Sequence, residues 1–166
     1  VAHILHSVGG VDVYMRLLLD NINENEFETI IIHGRTDTVN PFKYKSGNLA
    51  KEYLIDIVRE ISPLKDLKSV LNCIKIVRKE KPHIIHAHSA KGGVIGRIVG
   101  KLTNTPVFYT PHAFSYLSQK SPLKRSIYLF IEKLLANGNS KIIATSPSER
   151  TRAIQDVGYK SENVIV

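Results

Sequence analysis

Short runs of apolar, strand-favouring residues alternate along this chain with longer stretches in which apolar positions return every three or four residues. The short runs, at residues 2–6, 29–33, 52–55, 83–88, 107–110, 142–145 and 163–166, predict strands, and several are almost wholly apolar, as strands buried on both faces are. Leu17, Leu18 and Ile22 mark a helix over 11–22, and Leu67, Val70, Leu71, Ile74 and Val77 mark another over 64–79. Two more are predicted over 92–102 and 122–135. Pro82, Asn104-Thr105-Pro106 and Asn137-Gly138 supply the stops of the last three. Strands alternating with helices of this length predict an α/β fold: a Rossmann-like three-layer αβα sandwich around a mostly parallel sheet. The polar stretch 34–51, with Pro41 and Gly47, is expected to be a long loop or mobile excursion at the sheet edge.

Composition narrows the class without naming a function. The 166 residues, 43% hydrophobic and 23% charged, suffice for one domain with one core, taken as residues 1–166. A single cysteine, Cys73, supports neither a disulfide framework nor a cysteine zinc site. No stretch reaches the roughly 18 to 20 apolar residues of a membrane span, the nearest being broken by Glu132 and Lys133. A formal net charge of +8 favours acidic partners: nucleotide sugars, anionic lipid or nucleic acid. Without an aromatic-interleaved basic stripe or a zinc finger, nucleic acid is not expected.

In a parallel sheet, ligands bind beyond the carboxyl ends of the strands. The residues there are Ser7-Val8-Gly9-Gly10, His33-Gly34-Arg35, His86-Ala87-His88-Ser89, Pro111-His112 and Ser146-Pro147-Ser148. Gly9 and Gly10 either bring backbone close to a ligand or merely form a tight turn. No G-x-G-x-x-G is present and no acidic ribose partner follows the second strand, which disfavours a dinucleotide enzyme. His86 and His88 share one face of their strand, and with His112 they could approach a metal. No carboxylate stands beside them, so no metal is expected. His86 is read as structural, His88 as a ligand contact and His112 as a donor to a sugar hydroxyl or phosphate. Ser146, three residues before Glu149 and next to Pro147, is first a helix cap and second a ligand contact. The basic, aromatic-bearing segment 114–135 is read as a core helix with a solvated face, or alternatively as a helix lying on anionic lipid.

In their order along the chain, Ser7-Val8-Gly9-Gly10, the segment from Lys81-Pro82-His83 through His86-Ala87-His88-Ser89-Ala90-Lys91-Gly92, Tyr109-Thr110-Pro111-His112-Ala113-Phe114, Ile131-Glu132-Lys133-Leu134-Leu135 and Ile143-Ala144-Thr145-Ser146-Pro147-Ser148-Glu149-Arg150 resemble the N-terminal domain of retaining GT-B glycosyltransferases of the glycosyltransferase-4-like kind. The resemblance implies one half of a GT-B fold, the acceptor side, with a C-terminal donor-binding domain absent from this stretch. It implies transfer of a hexose from a nucleotide-sugar to a glycan or lipid-linked acceptor in cell-envelope polysaccharide synthesis. The chain's ends inside candidate strands agree with a piece of a longer protein, inactive alone. His112 is the expected catalytic residue, and Gly9, Gly10, His88, Ser89, Lys91 and Ser146 the expected substrate-binding ones. No cofactor is implied, since the nucleotide-sugar is a co-substrate held mainly by the other half. The parent is expected in the cytoplasm, in peripheral contact with the inner membrane face. A GT-B-type UDP-sugar epimerase half and a stand-alone sugar or phosphate-binding module are the alternatives.

Overall fold

The apolar runs become strands because a parallel sheet buries both of its faces, and the periodic segments become the helices that cover it. The computed structural model describes residues 1–38, 40–58, 61–136 and 138–166. Its strands are β1 (Ala2–Ile4), β2 (Ile30–Gly34), β3 (Lys51–Ile55), β4 (Ile85–His88), β5 (Val107–Thr110), β6 (Ser140–Ile143) and β7 (Val164–Ile165). Its helices are α1 (Gly10–Asn21), α2 (Pro63–Glu80), α3 (Ser89–Thr103), α4 (Pro122–Leu135) and α5 (Pro147–Arg152). The strands form one seven-stranded sheet, β3-β2-β1-β4-β5-β6-β7, and every pair in it is parallel. The expected αβα class therefore holds, with a sheet that is parallel throughout.

The chain winds outward from β1 to β3, then returns to lay β4 against β1 and winds the other way. Right-handed crossovers consequently put α1 on one face and the later helices on the opposite one. The α1 face is packed by Leu5, Met15, Leu19, Ile31 and Phe42; the other holds the main core, from Ile4, Ile32, Ile85 and Ala87 to Val70, Cys73 and Val99. The β1–β4 boundary is the switch point, where neighbouring loops diverge and leave a crevice. α3 sits unusually close to it. A Cβ on Gly92 would lie 2.5 Å from the Ile4 carbonyl oxygen, and one on Gly93 would lie 2.2 Å from the Tyr109 ring.

Two expectations change. Among its described residues the 34–51 stretch is the expected long loop between β2 and β3, but not a loose excursion: Phe42 is wholly buried under α1, and its amide donates to Glu52 at 2.8 Å. The Arg16 guanidinium lies 4.6 Å from the Phe42 ring centre and donates to the carbonyls of Asn40 and Pro41. One aromatic in a polar stretch is enough to tie it down. α4 is not a core helix with a merely basic outer face, because its buried member is Glu132. Leu123, Ile127, Phe130 and Leu134, at i, i+4, i+7 and i+11, are 71%, 43%, 64% and 69% exposed. The helix is held by Tyr128 and Leu129, half-buried against the main core, and by Glu132, which accepts from Arg97 at 2.8 Å and from the Tyr109 hydroxyl at 2.9 Å. α4 stops at its cap Ala136; of the expected stop Asn137-Gly138, Asn137 lies outside the described residues.

Candidate functional site

Strand alternation gives β1 and β4 two different faces. Ala2, Ile4, Ile85 and Ala87 enter the aliphatic core, whereas the intervening His3, His86 and His88 point to the α1 face. His3 Nδ1 and His88 Nε2 are 3.0 Å apart, and His88 Nδ1 and His112 Nε2 are 3.2 Å apart. The three imidazoles form a continuous row from the middle of the sheet to its carboxyl edge. His86 stands beside the row, its ring 4.0 Å from that of His88, with Nε2 bonded to the Thr110 hydroxyl at 2.9 Å. Tyr14, from α1, closes the outer end edge-on against His112, at 4.8 Å between ring centres.

Burial keeps these rings uncharged. It pushes His3 and His88 well below the ordinary imidazole range, with neighbouring imidazoles adding to the shift. It lowers His86 to about 4, helped by His112. His112 is also lowered by burial, against an opposing pull from Glu149. Each neutral imidazole carries one proton, so the protons of the row run in a single sense. The buried His3 Nε2 has no partner. An orphaned buried N–H is rarer than an orphaned acceptor. The favoured sense therefore leaves His3 Nε2 bare, puts the protons on Nδ1 of His3 and His88, and makes His112 Nδ1–H a donor at the edge.

His112 and Ala113 both take left-handed backbone angles, φ 52° and 75°. Glu149 anchors this strained pair: its carboxylate accepts from the Ala113 amide at 2.8 Å and from the Thr145 amide at 2.7 Å. Ser146 caps α5 as its spacing predicted, accepting from the Glu149 amide at 3.2 Å. On the other side of the crevice, the buried Asp37 carboxylate accepts from the amides of Ser7 and Gly34 and bonds to His6 Nδ1 at 2.8 Å. Burial opposes the charge, but these bonds outweigh it and hold the carboxyl below its usual range.

Beyond these strand ends lies a cavity of about 590 Å³, lined among others by His6, Val8, Ser89, Lys91, His112 and Ser115. Ser89, Lys91 and His112, from separate predictions, thus meet at one opening. Lys91 is paired to both oxygens of Asp66 at 2.8 and 2.9 Å. His88 is fully buried with both nitrogens engaged, so a ligand in this cavity meets it only through His112. Gly9, Gly10 and Ser146 are not in the lining. Gly9 is required by its φ of 61° at the start of α1, and space at both Gly9 and Gly10 is open.

Sequence reasoning missed His3, Asp37, Tyr14 and the second role of Glu149. The signal for His3 was present: a histidine in an apolar run shares a face with residues two positions away. Asp37 and Glu149 act across 31 and 36 residues of sequence, beyond any local pattern. Among the described residues, the set that could hold a metal ion is His3, His86 and His88, with ligand atoms within 4.8 Å of one another. It includes His3 in place of the His112 weighed from the sequence.

The family described as glycosyl transferase 4-like domain matches residues 9–166. Two curated relatives are each 30% identical over 115 residues, covering 69% of this chain and 30% of the relative. They are an Escherichia coli UDP-Gal:alpha-D-GlcNAc-diphosphoundecaprenol alpha-1,3-galactosyltransferase and the Staphylococcus aureus capsular polysaccharide biosynthesis glycosyltransferase CapM. The match thus spans under half the length of either relative. A glycosyltransferase structure from Rickettsia africae superposes with a TM-score of 0.70 at 16% identity, over 99% of this chain and 41% of that one. It speaks for the fold.

Proposed function

This chain belongs to the glycosyl transferase 4-like domain family, and from that premise we propose that it is the N-terminal, acceptor-side half of a nucleotide-sugar-dependent glycosyltransferase. The parent transfers a hexose to a glycan or lipid-linked acceptor in cell-envelope polysaccharide synthesis, and a C-terminal domain outside this stretch supplies most of the donor pocket. The observation that carries this reading is the 590 Å³ cavity at the switch point, where His112, Ser89 and Lys91 converge. A neutral His112 with Nδ1–H outward suits a hydrogen bond to a sugar hydroxyl or a phosphate oxygen. His88 and His3 set that tautomer, and Glu149 holds the loop that aims it. The contribution of this half is positioning. Direct ligand contact by Gly9, Gly10 and Ser146 belongs to the same proposal and would come from backbone and cap groups once the second domain faces this edge.

The architecture alone suits an epimerase half equally well. The capsule and lipid-linked names of the relatives favour the transferase. Titration of the chain with UDP-sugars, GDP-mannose and short acceptor glycans, followed by amide NMR, tests the assignment. Acceptor-induced shifts at Ser89, Lys91 and His112 with at most weak nucleotide binding are expected. Tight nucleotide binding by this chain alone overturns it.

The proposal includes peripheral contact with the anionic inner face of a membrane, from the cytoplasm. No helix of the described residues is long and apolar enough to cross one. α4 instead carries the exposed stripe Leu123, Ile127, Phe130 and Leu134 beside Lys120, Lys124, Arg125 and Lys133, the make-up of a helix lying in an interface. Sedimentation with phosphatidylglycerol vesicles at low salt, lost in the double variant Leu123→Ser/Phe130→Ser, is the expected result. Equal indifference of both proteins to the vesicles removes this part.

A further inference from the structure

A second cavity opens between α2, α3 and α4, of about 350 Å³, walled chiefly by aliphatic side chains: Leu67, Val70 and Leu71 from α2, Val94 and Ile98 from α3, and Ile131 from α4. The core does not require it. Close packing would fill such a space, yet it stays open and leaves Leu67 and Leu71 57% and 51% exposed along its rim. An apolar groove of this size on a surface signals an occupant.

Its position says which. The groove and the cleft share Ala90, Lys91, Ser115 and Tyr128 as lining, so the two cavities are consecutive segments of one path. One end gathers polar side chains, His6, Ser89, Lys91, His112 and Gln119 among them, and the other is almost wholly aliphatic. At the junction Lys91 holds a positive charge against Asp66, in the first turn of α3. The groove runs down the side of the helix pair whose outer neighbour, α4, bears the exposed apolar stripe. A ligand fitting the whole path has a sugar or phosphate head and an unbranched or prenyl chain beginning directly behind it.

We propose that the α2–α3–α4 groove binds the first part of the hydrocarbon chain of a lipid-phosphate acceptor whose head group lies in the His112 cleft. This rests on the acceptor-side reading above and adds where the lipid goes. The head-group phosphate competes with Asp66 for Lys91. At roughly 30 Å³ per carbon group, comparable to a water's share of liquid, the groove holds about a dozen carbons; the remainder of a longer chain emerges between Leu67 and Leu71 toward the surface flanked by α4. The groove therefore measures the first two or three isoprene units and is blind to the rest.

Calorimetric titration of the chain with dimethylallyl, geranyl, farnesyl and geranylgeranyl phosphates below their aggregation concentrations, and with inorganic phosphate, tests this. A buried methylene is worth at most about fourfold in affinity; with partial burial, binding is expected to tighten at least tenfold from dimethylallyl to geranyl and again toward farnesyl phosphate, then level off. Val94→Phe and, independently, Ile98→Phe fill the groove and are expected to weaken farnesyl phosphate at least tenfold while leaving dimethylallyl phosphate unchanged. Affinity independent of chain length, or rising without a plateau, overturns the groove, as does full binding by both filled variants. N-acetylglucosamine 1-phosphate binding with shifts at His112 but no effect of chain length overturns the groove alone and leaves the acceptor reading standing. A length series with its plateau in a parent protein without transferase activity upholds the groove and removes the transferase.

Discussion

The two faces of β1 and β4 are built from the same strands, yet one is aliphatic and the other imidazole. Ala2, Ile4, Ile85 and Ala87 look toward α2 and α3, and His3, His86 and His88 toward α1. The aliphatic face is closed over by α3, brought within contact by Gly92 and Gly93. The imidazole face contains a buried nitrogen without a partner, a row of rings that stay neutral only because water is excluded, and a left-handed pair at its end. Folding alone has no use for such a row, since leucine or valine in those places would pack without polar cost. The difference separates what holds this domain together from what it presents to a ligand.

The aliphatic face should be the most sensitive to substitution, at its single charged point. Glu132 and Arg97 are both buried, and Arg97 also lies 4.3 Å from the Tyr109 ring centre. Burial works against the Arg97 charge, but Glu132 outweighs it and holds the guanidinium firmly protonated. Glu132→Ala strands that cation, and a loss of about 3–5 kcal/mol in urea unfolding is expected. Glu132→Gln keeps the hydrogen-bond geometry and should cost less. Equal losses would mean that shape, not charge, fixes α4.

Acid should attack the other face. His86 is lowered to about 4 when folded against an ordinary value of 6.5. Between those values the unfolded chain binds more protons than the folded one, so stability is complete above about pH 6.5 and falls as pH drops toward 4. On the order of 2 kcal/mol is expected to disappear between pH 7 and pH 5 from His86 alone. His3 and His88 act in the same direction. Unfolding midpoints across this range, compared between the wild type and His86→Asn, give the share due to His86. A flat profile would mean that these rings are not shielded from water.

The sheet was legible because strand burial and helical period are local signals: the 107–110 and 122–135 predictions coincide with β5 and α4, and other boundaries shift by one to three residues. His112 and Ser89 were legible through position, since strand ends converge on one edge whatever the order of strands; Lys91 came only with the family resemblance. His88 was placed on the correct face but not at the correct depth. Depth depends on Tyr14, which comes from another element and touches both His88 and His112. Asp37 lay in a stretch read as loop, where nothing local distinguishes an anchoring carboxylate from a solvated one. The outward stripe of α4 was legible only as the second of two readings, because periodicity reports that a helix has an apolar face, not which neighbour covers it.

A smaller effect should sharpen the reading of the imidazole row. His88→Phe keeps the ring and removes both nitrogens, leaving His3 Nδ1 and His112 Nε2 without their bonds at 3.0 and 3.2 Å. A cost of about 1–2 kcal/mol is expected, the desolvation penalty of the orphaned groups. The telling readout is the nitrogen chemical shifts of His112. They should report one tautomer, protonated on Nδ1, in the wild type and a mixture in the variant. A mixture already present in the wild type would mean that the row does not orient His112.

The smallest effect separates a cap from a contact. Ser146 Oγ accepts from the Glu149 amide, and Glu149 in turn holds Ala113, so the cap lies one bond away from the His112 loop. Ser146→Ala should cost about 1 kcal/mol, and Ser146→Gly only a few tenths, as at other helix starts; for a chain of this size 1 kcal/mol is about 2–4 °C in Tm. Ser146→Asp restores the cap and adds a negative charge. If Ser146 only caps, alanine lowers Tm without weakening an acceptor sugar phosphate, and aspartate recovers both Tm and binding. If Ser146 also touches the ligand, aspartate recovers Tm while binding falls further than in the alanine variant, because its carboxylate meets a phosphate. The imidazole face would then extend along the sheet edge to α5.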